Sequence, residues 1–320
     1  MMRVIRMTAL AATLFATVPI TSADPGSTVL DDTLDGPSFS ESGGLYYKEN
    51  FEQSAGSIEF QKEMKRSGDG ALKLSIKPNC GDANDGCSER AEIWEKAKLR
   101  VPYNVGVWYG FAIKFGEPIP QDDHRYLIAQ WKREIDPGAE GDFSPFLALR
   151  LRNGKLFATV ETNYIASPQP VSNGPAETCK TSTTPVWLRP ETNQMRALVA
   201  TEASWTPQDG KLYADCTDAI QVTNHGNPLP APKSGWIDFA IYTKPGPDGS
   251  GHIEVFANGK PIVTVKGHIG HADNGLGENQ YFKFGPYRAA HTNEWTLYYD
   301  DFRRSPNCAD VLRDGTCPAF

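Results

Sequence analysis

Phe146-Leu-Ala-Leu-Arg-Leu-Arg-Asn-Gly-Lys-Leu-Phe-Ala-Thr-Val-Glu-Thr162 is the stretch that decides the fold of this chain. Two runs with a period of two meet at Asn153-Gly154, and Asn-Gly is the pair best suited to the positive φ angles of a two-residue hairpin turn. The arrangement returns at residues 253–257 and 262–265, around Asn258-Gly259. Elsewhere, residues 71–77 place Leu72, Leu74 and Ile76 on one face, and residues 107–115, 236–243 and 295–302 read as further strands. Helical periodicity is nearly missing. Residues 191–205 are the one candidate for a short helix, with Val and Thr arguing against it. Such a chain predicts an all-β fold, a single antiparallel β-sandwich of jelly-roll type with few short helices.

The chain has 320 residues, 39% apolar and 22% charged, which is ordinary for a globular protein. Aromatic residues at 11%, with 29 Gly and 24 Pro, suit a turn-rich β protein. Its 39 acidic residues outnumber 32 basic ones, for a net charge of −7. Nucleic-acid binding needs a basic footprint, so no nucleic-acid partner is expected. Arg3 and Arg6 precede an apolar run over residues 7–20, and Thr21-Ser22-Ala23 supplies small residues for cleavage. Residues 1–23 therefore read as a secretory signal peptide, too short to span a bilayer. Its removal takes two arginines and no acid, and the net charge falls from −7 to −9. The product is expected to be a secreted or periplasmic monomer with no membrane partner.

Residues 24–44 hold five acids and no base, and read as an acidic linker before a domain over residues 45–320. Export makes disulfides the favoured reading of the six cysteines. Cys80 with Cys87 and Cys308 with Cys317 are close couples, which leaves Cys179 for Cys216. No Cys-x-x-Cys or Cys/His cluster suggests a metal site. His268 and His271 with Asp273 read as loop histidines, and the Asp82, Asn84 and Asp85 loop lacks EF-hand spacing. No cofactor is expected, and a structural calcium ion is not indicated.

Three short segments put polar groups on strands. In Arg90-Ala-Glu-Ile-Trp-Glu95, the residues Arg90, Glu92 and Trp94 share a face. In Ile128-Ala-Gln-Trp-Lys132, the sharers are Ile128, Gln130 and Lys132; in Tyr281-Phe-Lys-Phe-Gly-Pro-Tyr-Arg288 they are Tyr281, Lys283, Gly285 and Tyr287. Arg-x-Glu, Gln-x-basic and Tyr-Phe-Lys-x-Gly-x-Tyr-Arg, in this order and ahead of a Tyr-Asp-Asp strand, resemble the jelly-roll polysaccharide lyases. The heparin-lyase-I-like group is the nearest in pattern, with alginate and glucuronan lyases more distant. The resemblance covers residues 46–304.

That resemblance implies a concanavalin-A-like jelly roll with a concave groove for an acidic, uronate-containing polysaccharide cut by β-elimination. The chemistry requires the uronate carboxylate to be neutralised while the C5 proton leaves and O4 is expelled. Gln130 and Arg90 can donate to that carboxylate. Tyr287 can serve as the base, as the acid that hands a proton to O4, or as both. Where the alginate-lyase pattern has His, this chain has Lys132, read as an electrostatic clamp; His124, then His271, are the histidines that can assist proton transfer. Glu92 is expected to orient Arg90. Lys283, Arg288, Tyr281, Trp94, Trp131 and Arg150 are the remaining candidates for lining the groove, with Arg152 beside Arg150. Packing roles compete for each aromatic residue, and a solvated ion pair competes for Arg90 and Glu92. A non-catalytic carbohydrate-binding or lectin-like sandwich would need the groove but not Tyr287. A glycoside hydrolase would need two facing carboxylates, and Glu92 is the one visible candidate.

Overall fold

Both Asn-Gly pairs turn hairpins. Asn153 and Gly154 have φ of 50° and 72°, and Asn258 and Gly259 have the same two values, the left-handed geometry that matches strand twist. The first turn joins strands Leu147–Arg152 and Lys155–Asn163, and the second joins Gly246–Ala257 and Lys260–Ile269. The structure is a computed structural model and describes residues 25–41, 43–48, 54–80, 87–139, 143–164, 172–173, 179, 182–272 and 275–319. The signal peptide, the 82–85 loop and Asp273 lie outside the described residues.

Among the described residues two antiparallel sheets, of nine and twelve strands, make up the β-sandwich jelly roll. In the larger sheet, strands Thr184–Arg189, Gln194–Thr201, Lys155–Asn163, Leu147–Arg152, Tyr126–Ile135 and Leu276–Ala289 lie side by side in that order. Their alternation is simple. Leu147, Leu149, Leu151, Leu156, Ala158 and Val160 enter the core, as do Met195, Ala197 and Val199, while the residues between them face outward. Facing them from the smaller sheet are Phe111, Tyr299 and Phe302, packed on Trp131, Phe282 and Phe284 with the Trp131–Phe282 ring centroids 4.6 Å apart. Each such ring, buried fully, contributes roughly 1.5–3 kcal/mol.

The structure departs from the sequence reading in two elements. Residues 191–205 are not a helix: a 3-10 turn at Pro190–Thr192 leads into the strand Gln194–Thr201. Both neighbours of that strand bond to it, which outweighs local propensity. Among the described residues the helical segments are short 3-10 turns. Residues 24–44, expected as a linker, include the strand Leu30–Asp32, paired with Trp295–Ser305. Leu30 and Leu34 anchor it in the core, and its acids serve turns: Asp32 accepts from the Leu34 and Ser40 amides, Asp35 from Asp69 and Gly70.

Disulfides join Cys80–Cys87, Cys179–Cys216 and Cys308–Cys317. Cys216 belongs to the strand Asp215–Thr217, which pairs with Thr184–Arg189 and so ties down one wing of the larger sheet.

Candidate active site

The outer face of the larger sheet carries a cleft of about 500 Å³. Among the described residues eight cations line it, namely Arg90, Arg125, Lys132, Arg150, Arg152, Arg189, Arg196 and Lys283, against the single carboxylate of Asp123. Gln130, His124, Tyr287, Trp187 and Tyr213 share the lining.

Two strand irregularities aim these side chains. The Tyr126–Ile135 strand carries an extra residue relative to Leu147–Arg152: Ala129 pairs with Leu149, and Leu127 with Arg150. Ile128 therefore drops into the core, and Leu127 reaches the cleft instead. The expectation that Ile128 shares a face with Gln130 fails for this reason. The Leu276–Ala289 strand has its own bulge between Phe284 and Tyr287, centred on Gly285-Pro286. Gly285 has φ +125°, and a Cβ there would lie 2.1 Å from the Ala91 carbonyl oxygen, so only glycine fits. Past the bulge Tyr287 pairs with Leu127 on one side and Arg90 on the other, and its ring faces the cleft.

The three motifs meet here. Lys283 is the cross-strand partner of Gln130. Beneath both lies Glu92, 2% exposed, accepting from Gln130 Nε2 at 2.6 Å and Lys283 Nζ at 2.9 Å, with Arg90 3.7 Å away. Burial, opposed by Glu92 and reinforced by Arg90, lowers the Lys283 ammonium from its ordinary pKa. The Arg90 guanidinium stands 4.3 Å from the Tyr287 ring centroid, Arg125 5.1 Å and Lys283 5.8 Å. His124 Nε2 lies 3.2 Å from the Ala289 carbonyl oxygen, and its ring is 5.0 Å from that of His291. With Nε2 donating to that carbonyl, Nδ1 is left as an acceptor.

Four expected groove residues lie elsewhere. Trp131 is fully buried among Tyr109, Phe111 and Phe282, because odd-numbered positions of its strand past the bulge face the core. Arg288 is fully buried and pairs with Glu89 at 2.7 Å. Tyr281 and Trp94 stack on each other at 5.2 Å. Arg100 covers Tyr281 at 4.4 Å and Lys48 covers Trp94 at 4.0 Å, so neither ring faces the cleft. His271 is buried at 2% exposure away from the lining, and His268 Nδ1 lies 2.8 Å from the Pro247 carbonyl oxygen.

Arg125, Arg189, Arg196, Trp187 and Tyr213 were not legible as site residues. Arg125 directly follows His124, and a cation beside a candidate histidine was the available signal. Arg196 lies inside residues 191–205, the stretch that reads as helical, and Arg189 lies just ahead of it, which hides their alternation.

The family profile described as polysaccharide lyase matches residues 40–303. In fold, the chain is similar to the endo-β-1,4-glucuronan lyase of the fungus Trichoderma reesei, with a TM-score of 0.56 at 15% identity, covering 90% of this chain and 98% of that one. The cellulose-induced protein Cip1 gives a TM-score of 0.45 at 13% identity over 87% and 97% of the two chains. The botulinum neurotoxin serotype C1 binding domain gives 0.41 at 12% over 89% and 51%. No curated protein matches the sequence. With a matched span that covers most of its length and a jelly roll to carry it, the chain belongs to the polysaccharide lyase family and is a polysaccharide lyase.

Proposed function

We propose that the enzyme cleaves an acidic, uronate-containing polysaccharide by β-elimination, withdrawing the C5 proton, expelling O4 and leaving a C4=C5 unsaturated uronate. The observation that carries this reading is the convergence of Arg90, Gln130, Lys283 and Tyr287, from three distant segments, on one wall of one cationic cleft. Gln130 and Arg90 neutralise the uronate carboxylate, held at their places by Glu92. Tyr287 delivers the proton to O4, and His124, through Nδ1, is the second proton-transfer group. Lys132, half-buried on the lining, acts as a charge clamp.

A hydrolase needs two carboxylates across the scissile bond. Among the described lining residues Asp123 is the one carboxylate, and it is engaged by Arg152 at 2.8 Å and Lys211 at 3.4 Å.

The substrate class follows from charge balance. Glu92 and Glu161 lie beneath the eight cations and Asp123 lies beside them, which leaves a moderate positive excess. That excess suits one carboxylate per sugar, as in glucuronan or alginate, better than the denser charge of a sulfated, heparin-like chain. The activity of the fungal glucuronan lyase with the same fold supports glucuronan as the first polymer to test. Three disulfides support an extracellular or periplasmic site of action; among the described residues no helix is long and apolar enough to cross a membrane.

A panel of polyuronates, followed by the ultraviolet absorbance of the unsaturated product, tests the proposal. Tyr287→Phe is expected to lower turnover about 10²–10⁴-fold while polymer binding persists. Reducing ends that appear without the absorbance would mean hydrolysis; binding without cleavage across the panel would mean a lectin-like module.

A further inference from the structure

Much of the cleft lies beyond the residues this mechanism uses. On its far wing, Trp187 and Arg189 of one strand adjoin Arg196 of the next, then Glu161, then Arg150. Arg196 Nε donates to Glu161 Oε1, and the Arg150 guanidinium reaches the same oxygen at 3.5 Å. Arg150 Nε also donates to Thr159 Oγ1 at 2.9 Å, and Arg189 donates to Gln194 Oε1 at 2.6 Å. The Arg189 and Arg196 guanidiniums lie 5.4 Å and 5.1 Å from the Trp187 ring centroid.

Glu161 is fully buried. One carboxylate thus serves two guanidiniums; Arg189 Nε lies 3.9 Å from the exposed Glu191 carboxylate, and the three guanidiniums still outnumber these two carboxylates on the cleft wall. Burial, with Arg196 alongside, pushes the Arg150 guanidinium down to about 9, the response of a cation that a further anion would relieve. Hydrogen bonds and the indole hold these guanidiniums in place before any ligand arrives, which reduces the ordering cost of binding. Two strands, Leu147–Arg152 and Lys155–Asn163, separate Arg196 from the strand of Gln130. Three spacings of about 4.8 Å put the two roughly 14 Å apart, farther than a single sugar ring reaches.

We propose that Arg150, Arg189 and Arg196, braced by Trp187, form a second anion subsite that holds the carboxylate of a uronate remote from the scissile bond. The substrate it implies is a run of uronates long enough to span both sites, with catalytic efficiency rising with chain length until it does. This rests on the lyase reading above.

Size-fractionated oligouronides, from a dimer upward, test it by kinetics and by titration calorimetry on wild type, Arg189→Gln and Arg189→Lys. For wild type, kcat/KM is expected to climb with length. In Arg189→Gln the gain from short to long oligomers shrinks about tenfold, through KM, and Arg189→Lys, which keeps the charge but not the planar fork, falls between. Melting curves confirm that each variant is folded; should Arg189→Gln not fold, the lysine variant carries the comparison. An unchanged length dependence, or a loss of kcat equal at every length, overturns the proposal. If wild type yields no unsaturated product from any polyuronate, it is the lyase reading that has failed. Calorimetry then decides the subsite: tighter binding of long oligomers that is lost in the variants sustains it, and equal affinities refute it.

Discussion

Glu92 ties the three polar motifs together through one buried carboxylate. Its two oxygens serve Gln130 and Lys283, and Arg90 lies within ion-pair distance. Arg-x-Glu was readable as a motif, and a supporting role for Glu92 was the expected one; that it also organises the other two motifs was not legible, because Gln130 and Lys283 lie 38 and 191 residues away. Breaking a buried pair leaves a charge without compensation, so Glu92→Gln is expected to cost about 3–5 kcal/mol by denaturant unfolding. Adding Lys283→Met removes the stranded cation and should recover most of that stability. Turnover should stay low in the double variant, since Gln130 and Arg90 have lost their anchor. A double variant with restored turnover would show that Glu92 matters only for folding.

At the level of elements, the bulge at Gly285-Pro286 keeps Tyr287 on the cleft face beside a neighbouring strand that is itself irregular. A regular strand would have kept Lys283, Gly285 and Tyr287 on one face, the sequence expectation; the same face is reached in the structure through matched irregularities in two adjacent strands. Gly285→Ala forces a side chain into a left-handed backbone and against the Ala91 carbonyl. We expect it to cost at least about 2 kcal/mol and to depress turnover more than stability alone explains, because Tyr287 and Glu92 both move. A Gly285→Ala enzyme with wild-type kcat would dissociate the bulge from catalysis. The strand Gln194–Thr201 carries the complementary lesson. Its Met, Ala, Val and Thr suit helix or strand, and hydrogen bonds from both flanking strands decide the matter.

For the whole molecule, the net charge of −7 coexists with a cleft that eight cations line. Glu89, Glu92, Glu95 and Glu161 are buried against arginine or lysine partners, so the field that a substrate meets is local rather than global. Attraction of this kind is screened over about 10 Å at 0.1 M salt and about 3 Å at 1 M. Raising the salt across that range should lower kcat/KM for a polyuronate by an order of magnitude or more, mainly through KM, while the melting temperature moves little. Efficiency independent of salt would mean that the cleft does not bind substrate through charge.

What the sequence determined by itself is what depends on neighbours along the chain. Period-two alternation, the two Asn-Gly turns, the three disulfide couples and the three polar motifs are all local patterns; the turns and couples were found as read, and the Arg90–Glu95 motif is split between the strands Ser88–Arg90 and Ile93–Glu95. Tertiary structure decided which face of each strand the chemistry occupies, since a single inserted residue exchanges the two faces. It sent Ile128 to the core and Leu127 to the cleft. It buried Arg288 against Glu89 and gathered Arg125, Arg189 and Arg196 from segments that carry no motif. Strand order and bulge position arise from pairing between distant residues, and no local window contains them.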